Sequence, residues 1–221
     1  MPQRSGFCWR LGQQNPAHRL PDVIHLEVGE PDFVAPAAIA KAGVEATEQG
    51  KTGYTSATGL PELKQKISQH YAKRYQVEVD PARIIVTPGA SGALLLMSSL
   101  MVESGDNVLM PDPCYPCNRH FLVQVGAEAK LIETQATNGF EIELSSLEQH
   151  WDDTTSGMWL ASPSNPTGAV LSQEYIAEAW QKVQHLGGHL LVDEIYQGLV
   201  YDGEDFTALS VSDEVFVINS F

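Results

Sequence analysis

His189-Leu190-Leu191-Val192-Asp193-Glu194-Ile195-Tyr196 is the stretch that decides the fold class of this chain. Its run of consecutive apolar residues is typical of a strand that is buried on both faces, and such strands occur in parallel sheets covered by helices. Asp193 follows the apolar run directly, at the carboxyl end of the strand, where open α/β sheets bind their ligands. The stretch therefore predicts an α/β domain with a functional site beyond this strand.

Short apolar runs and helical patterns alternate on both sides of this stretch. We expect strands at 23–28, 83–87, 107–110, 130–133, 158–161, 189–192 and 214–218. We expect helices at about 36–49, 61–75 and 91–102, from about 117, and at about 173–186. This alternation predicts a mostly parallel sheet with helices on both faces, a three-layer α/β/α architecture.

Composition excludes several classes of protein. The chain has 221 residues, 43% of them hydrophobic, which is enough for a sizeable core. A net charge of −15 argues against nucleic acid and anionic membrane surfaces as partners, and no apolar run is long enough to span a membrane. Cys8, Cys114 and Cys117 are too few for a disulfide framework, so a cytoplasmic location is expected. Residues 1–20 contain arginines and no acid, but prolines and glycines interrupt any amphipathic targeting helix.

Residues 87–93, Thr-Pro-Gly-Ala-Ser-Gly-Ala, lie between an expected strand and an expected helix. Small residues let the backbone approach a phosphate closely, and a helix N-terminus offers free N–H groups. Ser91 would add a hydroxyl group. The stretch lacks the lysine of a P-loop and the glycine spacing of a dinucleotide-binding turn. A turn that only packs a helix close to a sheet has the same composition, so both interpretations stay open on this stretch alone.

The carboxylate of Asp193 has three possible uses: a pyridinium nitrogen, a magnesium ion, or a helix cap. The run Leu190-Leu191-Val192-Asp193-Glu194 also resembles the acidic motif of P-loop ATPases. That interpretation requires an upstream G-x-x-x-x-G-K-[ST] loop, which the sequence does not contain.

Cys114-Tyr115-Pro116-Cys117 allows two interpretations. The two cysteines have the spacing of a thioredoxin-like redox pair, whereas Tyr115 would present an aromatic face to a flat ring. No metal site is predicted, because Gly187-Gly188 interrupts the helix that would align His185 with His189.

From about Val23 to the last residue, the order and spacing of these motifs resemble the class I/II aminotransferases of pyridoxal-phosphate (PLP) fold type I. Five elements carry the resemblance: Gly29-Glu30-Pro31-Asp32, Gly53-Tyr54 with Gly59-Leu60, Gly89-Ala90-Ser91, Ser164-Asn165-Pro166-Thr167-Gly168, and Asp193-Glu194-Ile195-Tyr196. The resemblance implies the large domain of that fold, in incomplete form, and pyridoxal 5′-phosphate as cofactor.

The resemblance also implies how the phosphate and the ring of the cofactor are held. The backbone N–H groups of Gly89 and Ala90 and the hydroxyl of Ser91 would bind the phosphate. Ser220 would add another phosphate contact, and Tyr115 would stack on the pyridine ring.

Further roles follow from the same resemblance. Asp193 would pair with the pyridine nitrogen and keep it protonated. Asn165 and Tyr196 would hydrogen-bond the phenolic oxygen of the ring. Gly29 and Asn165 would lie against the substrate. Tyr54 would reach the cofactor of the neighbouring subunit, which implies a homodimer.

The residue that forms the Schiff base in this family has no counterpart here. The lysines are at 41, 51, 64, 66, 73, 130 and 182, and none follows the strand after Asp193. If Ser220 opens the family's Ser-x-x-Lys run, the lysine would lie two positions beyond Phe221. Because that lysine is both nucleophile and general base, the chain is expected to contain no catalytic residue and to have no turnover by itself.

We expect residues 1–28 to be an atypical N-terminal segment, a partial arm of a small domain, and residues 29–221 to be a PLP-binding large domain that is incomplete at its C-terminal end. The full-length protein would transfer an amino group from an amino acid to a 2-oxo acid. The alternatives are a PLP-dependent lyase or synthase of the same fold, and a catalytically dead PLP-binding module. An exposed apolar strand edge at the end of the chain predicts poor solubility.

Overall fold

The structure of residues 33–221 was obtained as a computed structural model. The predicted strand at 23–28 and the Gly29-Glu30-Pro31-Asp32 turn lie outside the described residues. The chain divides into two compact units, Met1–Ser56 and Ala57–Phe221. In the described part of the first unit, one helix, α1 (Ala37–Glu48), has no buried residue.

The second unit contains the sheet and the remaining helices. The helices are α2 (Pro61–Tyr75), α3 (Gly89–Met101), α4 (Asn118–Gln124), α5 (Leu147–His150) and α6 (Gln173–His185). The strands are β1 (Asn107–Asp112), β2 (Glu128–Glu133), β3 (Thr155–Ala161), β4 (His189–Asp193) and β5 (Phe216–Ile218). Short 3₁₀ helices occur at Pro81–Arg83, Ala136–Asn138, Leu144–Ser146 and Ala208–Ser210. No helix of the described residues is both long and apolar enough to cross a membrane.

The five strands form one sheet in the order β2-β1-β3-β4-β5, and every neighbouring pair is parallel. Parallel neighbours require crossover connections. Helix α4 lies in the crossover from β1 to β2, and α6 lies in the crossover from β3 to β4. The predicted α/β fold with a parallel sheet is therefore confirmed.

Alternate residues of the central strands point to opposite faces of the sheet, so two cores form. One core packs α6 against the sheet and includes Met158, Leu160, Ile176, Leu190 and Val192. The other packs α3 and α4 against the opposite face and includes Leu94, Leu122, Trp159, Leu191 and Ile218. Both faces are covered, which gives the three layers and explains why all five residues of β4 are buried.

Helix α6 illustrates how the sequence specifies these layers. Ser172 is its N-cap residue, and the Ser172 hydroxyl oxygen accepts the N–H of Tyr175 at 3.1 Å. Ile176, Ala179 and Val183 recur at helical spacing and are buried, so they form the stripe that faces the sheet. The prediction of a helix here is correct to within a residue at its C-terminal end.

The strand predicted at 83–87 is wrong. Arg83 ends a 3₁₀ helix, and residues 84–87 belong to none of the strands in the described chain. The N–H of Val86 donates to the C=O of Thr58 at 3.0 Å, which ties this stretch to the loop before α2. A strand needs ladder bonds to a neighbouring strand, so a β-branched composition alone does not produce one.

The strand order also positions the functional site. β1 lies between β2 and β3, so the chain extends the sheet first in one direction and then in the other. A crevice forms at the carboxyl ends of the strands where such a reversal occurs. The loops after β1, β3 and β4 and the start of α3 meet in this crevice.

Candidate active site

A cavity of about 270 Å³ lies at the carboxyl ends of β1, β3 and β4. Its lining residues are Pro88, Gly89, Ala90, Ser91, Leu94, Tyr115, Ala161, Pro163, Asn165, Asp193, Ile195 and Tyr196. They come from four separate segments of the sequence. Seven of the residues predicted to contact the cofactor are among them, at positions 89–91, 115, 165, 193 and 196. The fold therefore brings these side chains and backbone groups to one place.

The N-terminus of α3 forms one wall of the cavity. Pro88 precedes this 13-residue helix without any side-chain cap, and the first turn contains no acidic residue. The first N–H groups of a helix lack intrahelical partners and carry partial positive charge, so this wall suits an anion. Gly89 has a φ of +74°, which glycine adopts readily. A Cβ at Gly89 would meet no atom within 4 Å, so the backbone conformation rather than the available space favours glycine.

Asp193 ends β4 and is only 8% exposed. One of its carboxyl oxygens, Oδ1, accepts the N–H of Ile195 at 3.1 Å. Burial raises the pKa of the Asp193 carboxyl, and the bond from Ile195 opposes this shift only in part. A cation in the cavity would restore the charged form of this carboxyl group.

Glu194 is buried beside Asp193, but it does not line the cavity. Its side chain accepts the hydroxyl of Thr207 at 2.9 Å and the N–H of Ala208 at 2.6 Å. Burial is the main reason that the pKa of Glu194 is raised to about 7, and the nearby Asp205 adds to the shift. No role for Glu194 follows from the motifs. Its position as the second of two consecutive acids after the apolar run Leu190-Leu191-Val192 is the sequence signal that one of the two is buried.

The loop after β3 brings Asn165 to the cavity. The N–H of Ser162 donates to the C=O of Asp193 at 3.0 Å, and the Ser162 Oγ accepts the N–H of Leu171 at 3.0 Å. These bonds tie both ends of the loop to the structure, so Asn165 is supported from two sides.

Tyr115 is half-buried and lines the cavity after β1. The neighbouring Cys114 and Cys117 form no disulfide bond, and Cys117 is buried. Burial raises the pKa of the Cys114 thiol, although Arg119 lowers it in part. Reactive cysteines have lowered pKa values. The surroundings therefore favour Tyr115, not a redox pair, as the functional group of this loop.

Ser220 does not line this cavity. It lines a larger neighbouring cavity, which it shares with Gly89 and Ala90. The preceding residue, Asn219, donates from Nδ2 to the hydroxyl of Tyr71 at 3.1 Å, and burial raises the pKa of Tyr71 to about 12. The residues after β5 are thereby tied to α2.

Two of the residues predicted to contact the cofactor or the substrate are not among the residues that line this cavity. Tyr54 belongs to the other compact unit, and its side chain is fully exposed. Gly29 lies outside the described residues. The roles of both residues remain predictions. Within residues 33–221, no group of three or more His, Cys, Asp or Glu side chains is arranged to hold a metal ion.

Residues 21–221 match the family described as aminotransferase class I and II. The (5-formylfuran-3-yl)methyl phosphate transaminase of Methanocaldococcus jannaschii is 37% identical over 202 residues, which cover 90% of this chain and 51% of that protein. The valine–pyruvate aminotransferase of Mycobacterium tuberculosis is 34% identical over 202 residues, which cover 90% of this chain and 52% of that protein.

Solved structures agree with this family. A single mutant of Thermus thermophilus aspartate aminotransferase matches with a TM-score of 0.86 at 29% identity and covers 92% of this chain and 54% of its own. The aromatic aminotransferase of Pyrococcus horikoshii matches with a TM-score of 0.83 at 30% identity, and the match covers 90% of this chain and 54% of that chain. The chain spans about half the length of the curated relatives it matches. The family predicted from the motifs is thus confirmed: the chain belongs to the class I and II aminotransferases, whose members use pyridoxal phosphate.

Proposed function

We propose that the cavity binds pyridoxal phosphate, and that the whole protein transfers an amino group from an amino acid to a 2-oxo acid. One observation carries this proposal: a helix N-terminus and a buried carboxyl group converge in one cavity of about 270 Å³. The first suits a phosphate group, and the second suits a protonated ring nitrogen. The residues present therefore fit both charged ends of the cofactor.

At the phosphate end, the N–H groups of Ala90 and Ser91 at the start of α3 bind the anion, and Ser91 adds a hydroxyl donor. The N–H of Gly89 already donates to the C=O of Thr87 at 2.8 Å, so Gly89 contributes close approach of the backbone. The partial positive charge of the helix N-terminus strengthens these bonds.

At the ring end, Asp193 holds the proton on the ring nitrogen. The cofactor, when bound, supplies an electron sink for negative charge at the substrate, and it does so best with a protonated ring. Burial of Asp193 strengthens this ion pair, because charges attract more strongly in a medium of low dielectric constant. Tyr115 offers a ring face for stacking, and Asn165 and Tyr196 offer hydrogen-bond donors to the phenolic oxygen.

The cavity lining contains no lysine. A Schiff base requires an amine within reach of the cofactor. We therefore propose that the 221-residue chain binds pyridoxal phosphate without a covalent bond and has no transaminase turnover by itself.

The proposal extends to the organisation of the whole protein. The cofactor-binding domain lies within residues 29–221, and the lining of its cavity comes from the unit Ala57–Phe221. The protein is a cytoplasmic homodimer in which Tyr54 reaches the partner's cofactor; the full exposure of Tyr54 supports this contact. Gly29 and Asn165 contact the substrate.

Titration with pyridoxal phosphate tests the proposal. Asp193→Asn removes the charge with little change in shape, and we expect the Kd to rise about tenfold, since a hydrogen bond to a charged group is lost. Asp153→Asn, at an exposed aspartate, is the matched control and should leave the Kd within about twofold. Borohydride treatment followed by mass spectrometry should detect no stoichiometric adduct. An unchanged Kd in Asp193→Asn, or a stoichiometric covalent adduct, would refute the proposed site.

A further inference from the structure

Residues 195–206 form a loop within the connection from β4 to the 3₁₀ helix at Ala208–Ser210. We call it the 195–206 loop. Its first two residues, Ile195 and Tyr196, line the cavity of about 270 Å³. The contacts that hold this loop therefore determine where the Tyr196 hydroxyl lies relative to the cavity.

The side chain of Glu194 joins the two ends of the loop. Glu194 directly precedes the loop, and its carboxyl group accepts the hydroxyl of Thr207 at 2.9 Å and the N–H of Ala208 at 2.6 Å, both just beyond the other end. Glu194 is 2% exposed and Thr207 is fully buried, so water does not compete for these bonds. A buried polar network with satisfied partners rigidifies its surroundings. One carboxyl group thus closes the base of the loop.

Tyr196 lies between two residues that both bond to the far end of the loop. The N–H of Gln197 donates to the C=O of Glu194 at 2.8 Å, and the N–H of Leu199 donates to the C=O of Tyr196 at 3.0 Å. The side-chain amide of Gln197 donates to the C=O of Phe206. The position of Tyr196 therefore depends on whether the base of the loop is closed.

A second connection lies farther along the loop but is weaker. Arg74 of α2 donates from Nε to Oδ2 of Asp205 at 3.0 Å. The Arg74 side chain is 44% exposed, and ion pairs that are open to water contribute little to stability. Removal of the Glu194 carboxyl, by contrast, would leave a buried N–H and a buried hydroxyl without their acceptor, which is costly. Glu194 is therefore the main connection that keeps the loop closed.

We propose that Glu194 is a positioning residue for cofactor binding: its carboxyl group holds the base of the 195–206 loop closed and thereby fixes Tyr196 at the cavity. The inference rests on the proposed function, in which Tyr196 donates to the phenolic oxygen of the cofactor. Glu194 itself does not line the cavity, so its effect on the cofactor is exerted through Tyr196.

Closure of the loop is also coupled to a proton. The titratable and charged groups that face Glu194 are Asp193, Asp205, Tyr71 and Tyr75, with Arg74 bound to Asp205. Burial is the main reason that the pKa of Glu194 is raised from 4.5 to about 7, and both aspartates add to the shift. An open loop would return the carboxyl to its ordinary pKa, so the closed loop holds a proton that the open loop releases. The extra stability of the closed loop is fully present below pH 4.5 and is lost as the pH rises to about 7.

Hydrogen exchange tests closure of the loop without any cofactor. At pH 6, Glu194→Ala should speed exchange of the Gln197 and Leu199 amides at least about fivefold, because the base loses its shared acceptor. Glu194→Gln keeps both partners and should be protected at least as well as the unmodified chain. The protection of Glu194→Gln relative to the unmodified chain should rise at least about fivefold from pH 5.5 to pH 8 and level off above pH 7, since only the carboxyl titrates.

Titration with pyridoxal phosphate tests the positioning role. We expect Glu194→Ala to raise the Kd at least about threefold and Glu194→Gln to restore it. In a double-mutant cycle with Tyr196→Phe, Glu194→Ala should add less than about 1.5-fold, because it acts through the same hydroxyl. Val183→Ala, a buried change in the core on the α6 side, is the control for a general loss of stability and should leave the Kd within about twofold.

Several outcomes would overturn the proposal. They are unchanged exchange of both amides in Glu194→Ala, failure of Glu194→Gln to restore protection, parallel pH curves for Glu194→Gln and the unmodified chain, and independent effects of Glu194→Ala and Tyr196→Phe on the Kd. Failure of the unmodified chain to bind pyridoxal phosphate would refute the proposed function and, with it, the cofactor role of Glu194. Unchanged exchange in a chain that does bind the cofactor would refute this inference alone.

Discussion

The cavity at the strand ends and the larger cavity beside β5 share Gly89 and Ala90, yet the two regions are built from different groups. The cavity is a convergence of side chains, Asp193, Asn165 and Tyr115 among them, on loops anchored to packed strands. The larger cavity is lined mainly by apolar side chains, Ile67, Ile84 and Val217 among them. The first arrangement suits recognition of a small charged molecule, because a few polar groups converge on one point. Two cavities of different character therefore lie side by side at the start of α3.

The largest expected effect concerns the packing beneath the cavity. Leu191 is 1% exposed in the core on the α3 side, and Leu191→Ala should lower the free energy of unfolding by about 3 kcal/mol, through lost burial and a residual cavity. Val217 is only partly buried on the wall of the larger cavity, so Val217→Ala should cost about 1 kcal/mol. Urea unfolding followed by circular dichroism measures both. Equal costs would mean that this wall is packed as tightly as the core on the α3 side, and the contrast between the two regions would fail.

Glu194 follows Asp193 of the cavity and is joined to β5, because its N–H donates to the C=O of Ile218 at 2.7 Å, and its titration sharpens the comparison. Its pKa is raised from 4.5 to about 7, so the folded chain holds a proton that the unfolded chain releases within this range. The corresponding stability is fully present below pH 4.5 and is lost as the pH rises to about 7. In Glu194→Gln, a neutral amide accepts from Ala208 and donates to Thr207 without titrating.

We expect the unfolding free energy of the unmodified chain to fall by up to about 3 kcal/mol relative to Glu194→Gln as the pH rises from about 4.5 to about 7. Denaturant unfolding at several pH values in this range measures the difference. Glu148→Gln, at an exposed glutamate, controls for the general effect of removing one charge. Parallel pH curves for the chain and Glu194→Gln would show that the buried carboxyl does not couple folding to protonation.

The smallest expected effect concerns Gly89, one of the two residues that line both cavities. Gly89 has a φ of +74°, and a Cβ there meets no atom within 4 Å, so Gly89→Ala should cost about 1 kcal/mol through backbone strain. Gly139 is a matched control, since its φ is +69° and its surroundings are equally open. Both variants should lose similar stability, but Gly89→Ala alone should weaken pyridoxal phosphate binding. Equal cofactor affinities in the two variants would separate Gly89 from the phosphate site.

Much of the layered fold was predictable from local sequence. β4 has three consecutive apolar residues before Asp193, and α6 has both a serine N-cap and a buried stripe, so period and capping identify these elements without tertiary information. The candidate cofactor residues came from the resemblance of short motifs to the class I/II aminotransferases, and seven of them line one cavity. The strand predicted at 83–87 was the element that this local reading got wrong. Its composition suits a strand, but pairing depends on a neighbour that local sequence does not specify.

The sequence by itself determined the alternation of strands and helices and the chemical groups available at each strand end, because hydrophobic periodicity and turn chemistry act over a few neighbouring residues. Only the tertiary structure decided which of those groups face the cavity and which bond to other parts of the fold. It exposes Asp193 to the cavity and directs Glu194 to Thr207 and Ala208, and among the described residues it pairs β5 with β4 alone. These outcomes depend on burial and on pairing between segments far apart in the chain, and such contacts exist only once the layers have packed.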